Sequence, residues 1–144
     1  MRVDFYQLGN LSAEAALPQL ARQTLKIGER MLVVSADEAQ LARIGAVLWE
    51  AKDSFLANGM AGGDHDARQP ILLAPSAEPA NGARFVALAD GEWRDEALVF
   101  ERAFLLFSAA TLDGARGAWR ALGDKDGVER RFWKRDGARW VEGP

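Results

Sequence analysis

Met31-Leu32-Val33-Val34-Ser35-Ala36-Asp37-Glu38 is the stretch on which the fold turns. Its first four residues form an unbroken apolar run, which suits a strand buried on both faces of a parallel sheet. Ser35 and Glu38 then stand three apart, a capping-box pattern that predicts a helix start. Behind it Leu41, Ile44, Val47 and Leu48 recur at helical spacing, with an end near Trp49 to Ala51.

Upstream, Val3 to Leu8 is a short apolar run with two aromatics, read as a first strand. Asn10 to Ser12 is a turn. A helix then runs to about Ile27, with Leu17, Leu20, Ala21, Thr24 and Leu25 on one face and Gly28 as its closing glycine. Pro18 breaks a helix interior, so the regular part is expected to begin at Leu17 or Pro18.

Downstream, residues 58–69 are rich in Gly and Asp and read as a loop. Strands are expected over Pro70 to Leu73, Arg84 to Ala89 and Arg102 to Phe107, with a short helix within Glu92 to Phe100. Leu112 to Leu122 is helical, with Leu112, Ala115, Trp119 and Leu122 on one face. The chain closes on a hairpin whose turn is expected at Asp136-Gly137. That register sets Trp133 opposite Trp140 and Lys134 opposite Arg139, a like-charge pair that a splayed tip or an anion would relieve. The order of elements is α/β. The expectation is a single Rossmann-like three-layer domain over residues 1–144, with a mostly parallel sheet, a C-terminal antiparallel hairpin and no nucleotide site.

The 144 residues contain no cysteine and one histidine, His65. Disulfide frameworks, thiolate nucleophiles and Cys- or His-rich metal cages are therefore out. No apolar run approaches membrane-spanning length and the first residues carry no cleavable signal, so a cytoplasmic protein is expected. The turn after the first strand, where a phosphate-binding fingerprint would fall, reads Gln7-Leu8-Gly9-Asn10-Leu11-Ser12 with a single glycine, and no Gly-x-x-x-x-Gly-Lys-Ser/Thr occurs. Asp64-His65-Asp66 reads as a solvated loop. Asp37/Glu38 and Asp95/Glu96 suit helix N-termini. No catalytic, cofactor-binding or metal-ligating residue is assigned, and no cofactor is expected.

The net charge is −3, unevenly divided. Between Arg116 and Arg139 lie eight basic and four acidic residues, against a surplus of acids before them. Such a split points either to a solvated surface or to an acidic partner. Two constellations stand out. Trp49, Phe55 and Leu56 either cap the core at a helix end or anchor a partner. Arg116, Trp119 and Arg120 sit at i, i+3 and i+4 on one helix and are neighbours. They are either core and solvent, or a forked clasp for a carboxylate with an apolar ring alongside.

Taken together the segments resemble the chi subunit of bacterial DNA polymerase III, from about Val3 to Glu142. The stretches that carry the likeness are Phe5-Tyr6-Gln7-Leu8, Gly28-Glu29-Arg30-Met31-Leu32-Val33-Val34, Leu48-Trp49-Glu50-Ala51-Lys52-Asp53-Ser54-Phe55-Leu56 and Pro70-Ile71-Leu72-Leu73. Glu101-Arg102-Ala103-Phe104-Leu105-Leu106-Phe107, Ala115-Arg116-Gly117-Ala118-Trp119-Arg120 and Phe132-Trp133-Lys134 with Trp140 continue it.

The resemblance implies a non-catalytic accessory subunit of the clamp-loader assembly within a DNA-directed DNA polymerase holoenzyme. One surface of such proteins takes the acidic C-terminal tail of single-stranded-DNA-binding protein, which ends in a phenylalanine carboxylate. Another binds the psi subunit. By position the tail site falls on Arg116, with Trp119 and Arg120 beside it, and the basic hairpin residues Lys134 and Arg139 join the expected site. The psi-facing patch falls on Trp49, Phe55 and Leu56. Family members often carry Pro-His after that phenylalanine, whereas here Leu56-Ala57 follows. A different clamp-loader component or a helicase-like repair factor is the other expected occupant of that patch. The alternative function is direct single-stranded DNA binding through the Arg and Trp side chains of the hairpin.

Overall fold

The computed structural model describes residues 1–51 and 56–143. In chain order the elements are β1 (Arg2–Gln7), α1 (Ala13–Lys26), β2 (Met31–Val34), α2 (Glu38–Trp49), β3 (Asn58–Met60), β4 (Ile71–Ala74) and β5 (Phe85–Leu88). β6 (Arg102–Phe107), α3 (Leu112–Gly123), β7 (Glu129–Asp136) and β8 (Arg139–Glu142) complete the chain. One sheet runs in the order β3-β4-β2-β5-β6-β1-β7-β8. Its pairings are parallel except for the terminal β7–β8 pair. The expected α/β class, mostly parallel sheet and C-terminal antiparallel hairpin are what the fold has.

β2 lies where its composition requires. Met31, Leu32, Val33 and Val34 are all fully buried, because β2 sits in mid-sheet and both its faces are covered. Met31 and Val33 meet α1 and α2 on one side. Leu32 and Val34 join the other core layer, which α3 covers with the segment around Ala97 and Phe100. Helices on both faces of the sheet make three layers.

Several local expectations need correction. α1 begins at Ala13 and runs through Pro18. Pro18 removes one helical donor at a cost of about 3 kcal/mol. Ser12 offsets part of this by accepting from the Ala15 N–H at 3.1 Å. Burial of Leu17 and Leu20 offsets the rest, at about 1.5–3 kcal/mol each. α2 is capped by Asp37, which accepts from the Ala39 and Gln40 N–H groups. The Ser35/Glu38 capping box does not form: Ser35 is buried and its hydroxyl accepts from the Asp37 N–H and bonds Gln40. Within the expected loop at 58–69, Asn58–Met60 pairs with β4 as an edge strand and Asp66–Arg68 is a 3-10 turn. The expected helix at 92–100 is a 3-10 segment, Asp95–Val99.

The hairpin register is also shifted by two residues. β7 joins the sheet parallel to β1, so β8 alone is antiparallel. Gly137 and Ala138 form the turn. Gly137 has φ +62° and stands at the first central position, where a two-residue turn of this kind needs glycine. Arg135 therefore faces Trp140, Trp133 faces Glu142, and Lys134 faces Val141. The like-charge pair disappears, and Asp136 stands opposite Arg139. The two tryptophans do not pair with each other. Both pack on Tyr6, Trp133 stacked at 6.1 Å and Trp140 edge-on at 4.8 Å between centroids.

Candidate partner-binding cleft

Strand alternation sends neighbouring residues of β1, β6 and β7 to opposite faces. Phe5, Phe107 and Phe132 face α3, and their rings form the floor of a cleft of about 480 Å³. Leu112, Ala115 and Trp119 of α3 form its wall, and Gln7, Arg116 and Arg120 its rim. The helical periodicity of α3 divides these roles. Ala115, Ala118 and Leu122 are buried against the sheet. Trp119 is half-buried, and Arg116 and Arg120 are exposed.

The aromatic groups hold one another. Phe5 meets Trp119 in an edge-to-face contact, 5.1 Å between centroids and 77° between planes. Phe107 and Phe132 lie 6.3 Å apart. Among the described residues, neither the Arg116 nor the Arg120 side chain makes a hydrogen bond or an ion pair. The cleft thus combines an aromatic interior with two unneutralised guanidiniums at its lip, a chemistry complementary to a carboxylate attached to an apolar side chain.

Other residues singled out in the sequence fall elsewhere. Lys134 is exposed on β7, in register with Gln7, and does not line the cleft. Arg139 lines a separate hollow of about 360 Å³ with Tyr6, Trp133 and Trp140, Gln19 and Gln23 of α1, and Arg2 and Arg102. At the end of α2, Trp49 is 55% exposed. Leu56 is 2% exposed and packs into the core beneath α1 and α2. Leu56 is therefore a core residue and offers a partner no surface. Phe55 lies outside the described residues.

Sequence reasoning passed over the floor of the cleft and one residue behind its wall. Arg130 of β7 places its guanidinium carbon 4.2 Å from the centre of the Trp119 ring. The alternation Arg130, Phe132, Lys134 carries that signal, because it puts Arg130 on the same face as Phe132. Its distance in sequence from Trp119 hides it.

The arrangement around the strand ends is built from internal pairs. Asp90, after β5, accepts from the Ala36 and Glu92 N–H groups and from Arg94. Burial by itself would raise its pKa, but these donors, Arg94 foremost, hold it below the ordinary carboxylate value. Asp66 accepts from the Gly62 and Gly63 N–H groups, within the Asp64-His65-Asp66 stretch. Among the described residues no group of His, Cys, Asp or Glu is placed to hold a metal ion, and no helix is long and apolar enough to cross a membrane.

Residues 1–129 match the model of a protein family described as DNA polymerase III chi subunit, HolC. No curated protein matches the chain at a significant level.

Proposed function

The chain belongs to the DNA polymerase III chi subunit family, and from that membership we propose that it is a replication adaptor whose α3 cleft takes the acidic C-terminal tail of single-stranded-DNA-binding protein. The observation that carries the reading is the pair of unneutralised guanidiniums, Arg116 and Arg120, at the mouth of an aromatic pocket. A terminal carboxylate would meet the guanidiniums while the last side chain enters among Phe5, Phe107, Phe132 and Trp119. Acidic residues before it would lie along the basic C-terminal segment. Charge steers the encounter, and the enclosed clasp supplies specificity.

A second surface, centred on Trp49 at the end of α2, would tie the adaptor to psi or another clamp-loader component. Its exposed indole has the size and amphipathic character of an interface anchor. Trp49→Ala is expected to abolish co-purification of clamp-loader subunits from native extract while leaving tail binding intact. Loss of tail binding instead would show that the two surfaces are not separate.

The test of the tail reading is a titration with a peptide ending in Asp-Asp-Ile-Pro-Phe. Arg116→Ala is expected to weaken binding by about 2–5 kcal/mol, since it removes one member of a desolvated charge pair. Unchanged affinity would remove the assignment. A single-stranded oligonucleotide, offered without its binding protein, separates the alternative function: the adaptor reading expects no gel shift at low salt, and a clear shift would favour direct DNA binding.

A further inference from the structure

We infer that Arg130 sets the shape of the α3 cleft by holding the Trp119 indole in place as its apolar wall, and thereby governs how strongly the cleft selects an aromatic last residue. The inference rests on the tail reading above. Arg130 lies one position beyond the span matched by the family model. It does not line the cleft, so its effect on a ligand passes through Trp119.

Two contacts from one guanidinium converge on one residue. The guanidinium carbon sits 4.2 Å from the Trp119 ring centroid, and indole is the aromatic that draws a cation most strongly. Nη1 also donates to the Trp119 carbonyl at 2.6 Å. The planar, forked arginine head can stack and donate together, which the single ammonium of lysine cannot reproduce. Ring and backbone of Trp119 are thus gripped from the same side chain, while Phe5 meets the indole edge-on.

The surroundings keep the guanidinium where it is. Gly123 ends α3 beside it, and a Cβ there would stand 2.8 Å from Arg130 Nη1. Glycine at this position leaves the lane open. Among the described residues Arg130 has no acidic partner, and its head lies near the C-terminal end of α3, where the helix dipole favours positive charge. Without Arg130 the indole would lose the contact on this ring face and would be held less firmly as the wall of the cleft.

The experiment compares two acidic peptides that differ only in the last residue, phenylalanine or alanine. Wild type is expected to prefer the phenylalanine form by about 10- to 100-fold, the worth of burying a phenyl ring. Arg130→Ala is expected to lower that ratio about tenfold, and Trp119→Ala to lower it as far. The double variant Arg130→Ala/Trp119→Ala should match Trp119→Ala alone, because residues acting through one group are not additive. Arg130→Lys, which keeps the charge and the fold but not the planar grip, should also lose discrimination. It carries the test if the alanine variant fails to fold.

An equal loss of affinity for both peptides, with the ratio kept, would make Arg130 one more attractive charge and overturn the inference. Unchanged affinities, or additive effects in the double variant, would overturn it too. A wild type that binds neither peptide would remove the tail reading itself, and the inference with it.

Discussion

The two faces of β1, β6 and β7 use arginine in opposite ways. On the α1 side, Asp4 is fully buried on β1. It accepts from Arg2 at 2.8 Å, from Arg102 at 2.7 Å and from the Trp133 indole at 2.9 Å. One carboxylate thus ties three adjacent strands together, and both arginines have their charge met inside the fold. On the α3 side, Arg116 and Arg120 stand at the lip of an aromatic cleft and make no ion pair among the described residues. Of the eight basic residues between Arg116 and Arg139, Arg131 alone is ion-paired among the described residues, with Glu129 and Glu142. A guanidinium matched internally is part of the framework. One left unmatched beside an apolar pocket is available to an anion from outside.

Removing the internal match should have the largest effect on stability. Asp4→Ala leaves two arginines and an indole N–H without their acceptor. Loss of one partner from a buried pair costs about 3–5 kcal/mol. Arg2 and Arg102 keep 29% and 26% of their side-chain exposure and recover some hydration, which places the expected loss near the low end, about 3 kcal/mol. Denaturant unfolding measures it; a loss below about 1 kcal/mol would mean that Asp4 is not the framework contact described.

Alkaline pH probes the same face. Burial first, and then the negative charge of Asp4, push the Tyr6 hydroxyl from 10.0 up to about 12, against the opposing pull of Arg102 and Arg2. The unfolded chain loses this proton first. The stabilising contribution is therefore complete below pH 10 and drains away between pH 10 and about 12, by about 2–3 kcal/mol in all. Tyr6 is the chain's single tyrosine, so its phenolate absorbance reports the titration directly. Tyr6→Phe should flatten that part of the stability profile; an ordinary tyrosine titration in the native protein would contradict the burial argument.

Smaller effects test the hairpin and the cleft. Gly137→Ala places a side chain at φ +62° and should cost about 1–2 kcal/mol. No cost would mean that Gly137 does not hold the left-handed conformation this turn requires. Arg116→Ala and Arg120→Ala should change thermal stability by no more than about 0.5 kcal/mol, because neither side chain supports the fold. A larger loss would place them in the framework alongside Arg2 and Arg102.

What could be read from the sequence follows the range of the interactions involved. β2 was legible because four consecutive apolar residues demand two covered faces. β6 was legible to its ends, Arg102–Phe107, for the same reason. The clustering of Arg116, Trp119 and Arg120 was legible because a single helix sets it. The cap at Asp37 was missed because Ser35 and Asp37 both fit local capping rules, and the burial of Ser35 beneath Gln40 decides between them. α1 crosses Pro18 because tertiary burial of Leu17 and Leu20 outweighs a local penalty. The hairpin register turned on two local turn chemistries, Asp-Gly or Gly-Ala, and the packing of Trp133 and Trp140 around Tyr6 accompanies the second. Asp4 and Arg130 were out of reach because their partners lie in other elements, joined only when the strands align.

The distinction between matched and unmatched arginines comes down to one titration. Wild type and Arg116→Ala are each titrated calorimetrically with an acidic peptide ending in phenylalanine, at low and at raised salt. Wild type should bind, raised salt should weaken it, and the variant should bind at least about 30-fold more weakly while melting at the same temperature. Equal affinities for the two proteins, or binding indifferent to salt, would show that the exposed guanidiniums of the cleft are surface charge and nothing more.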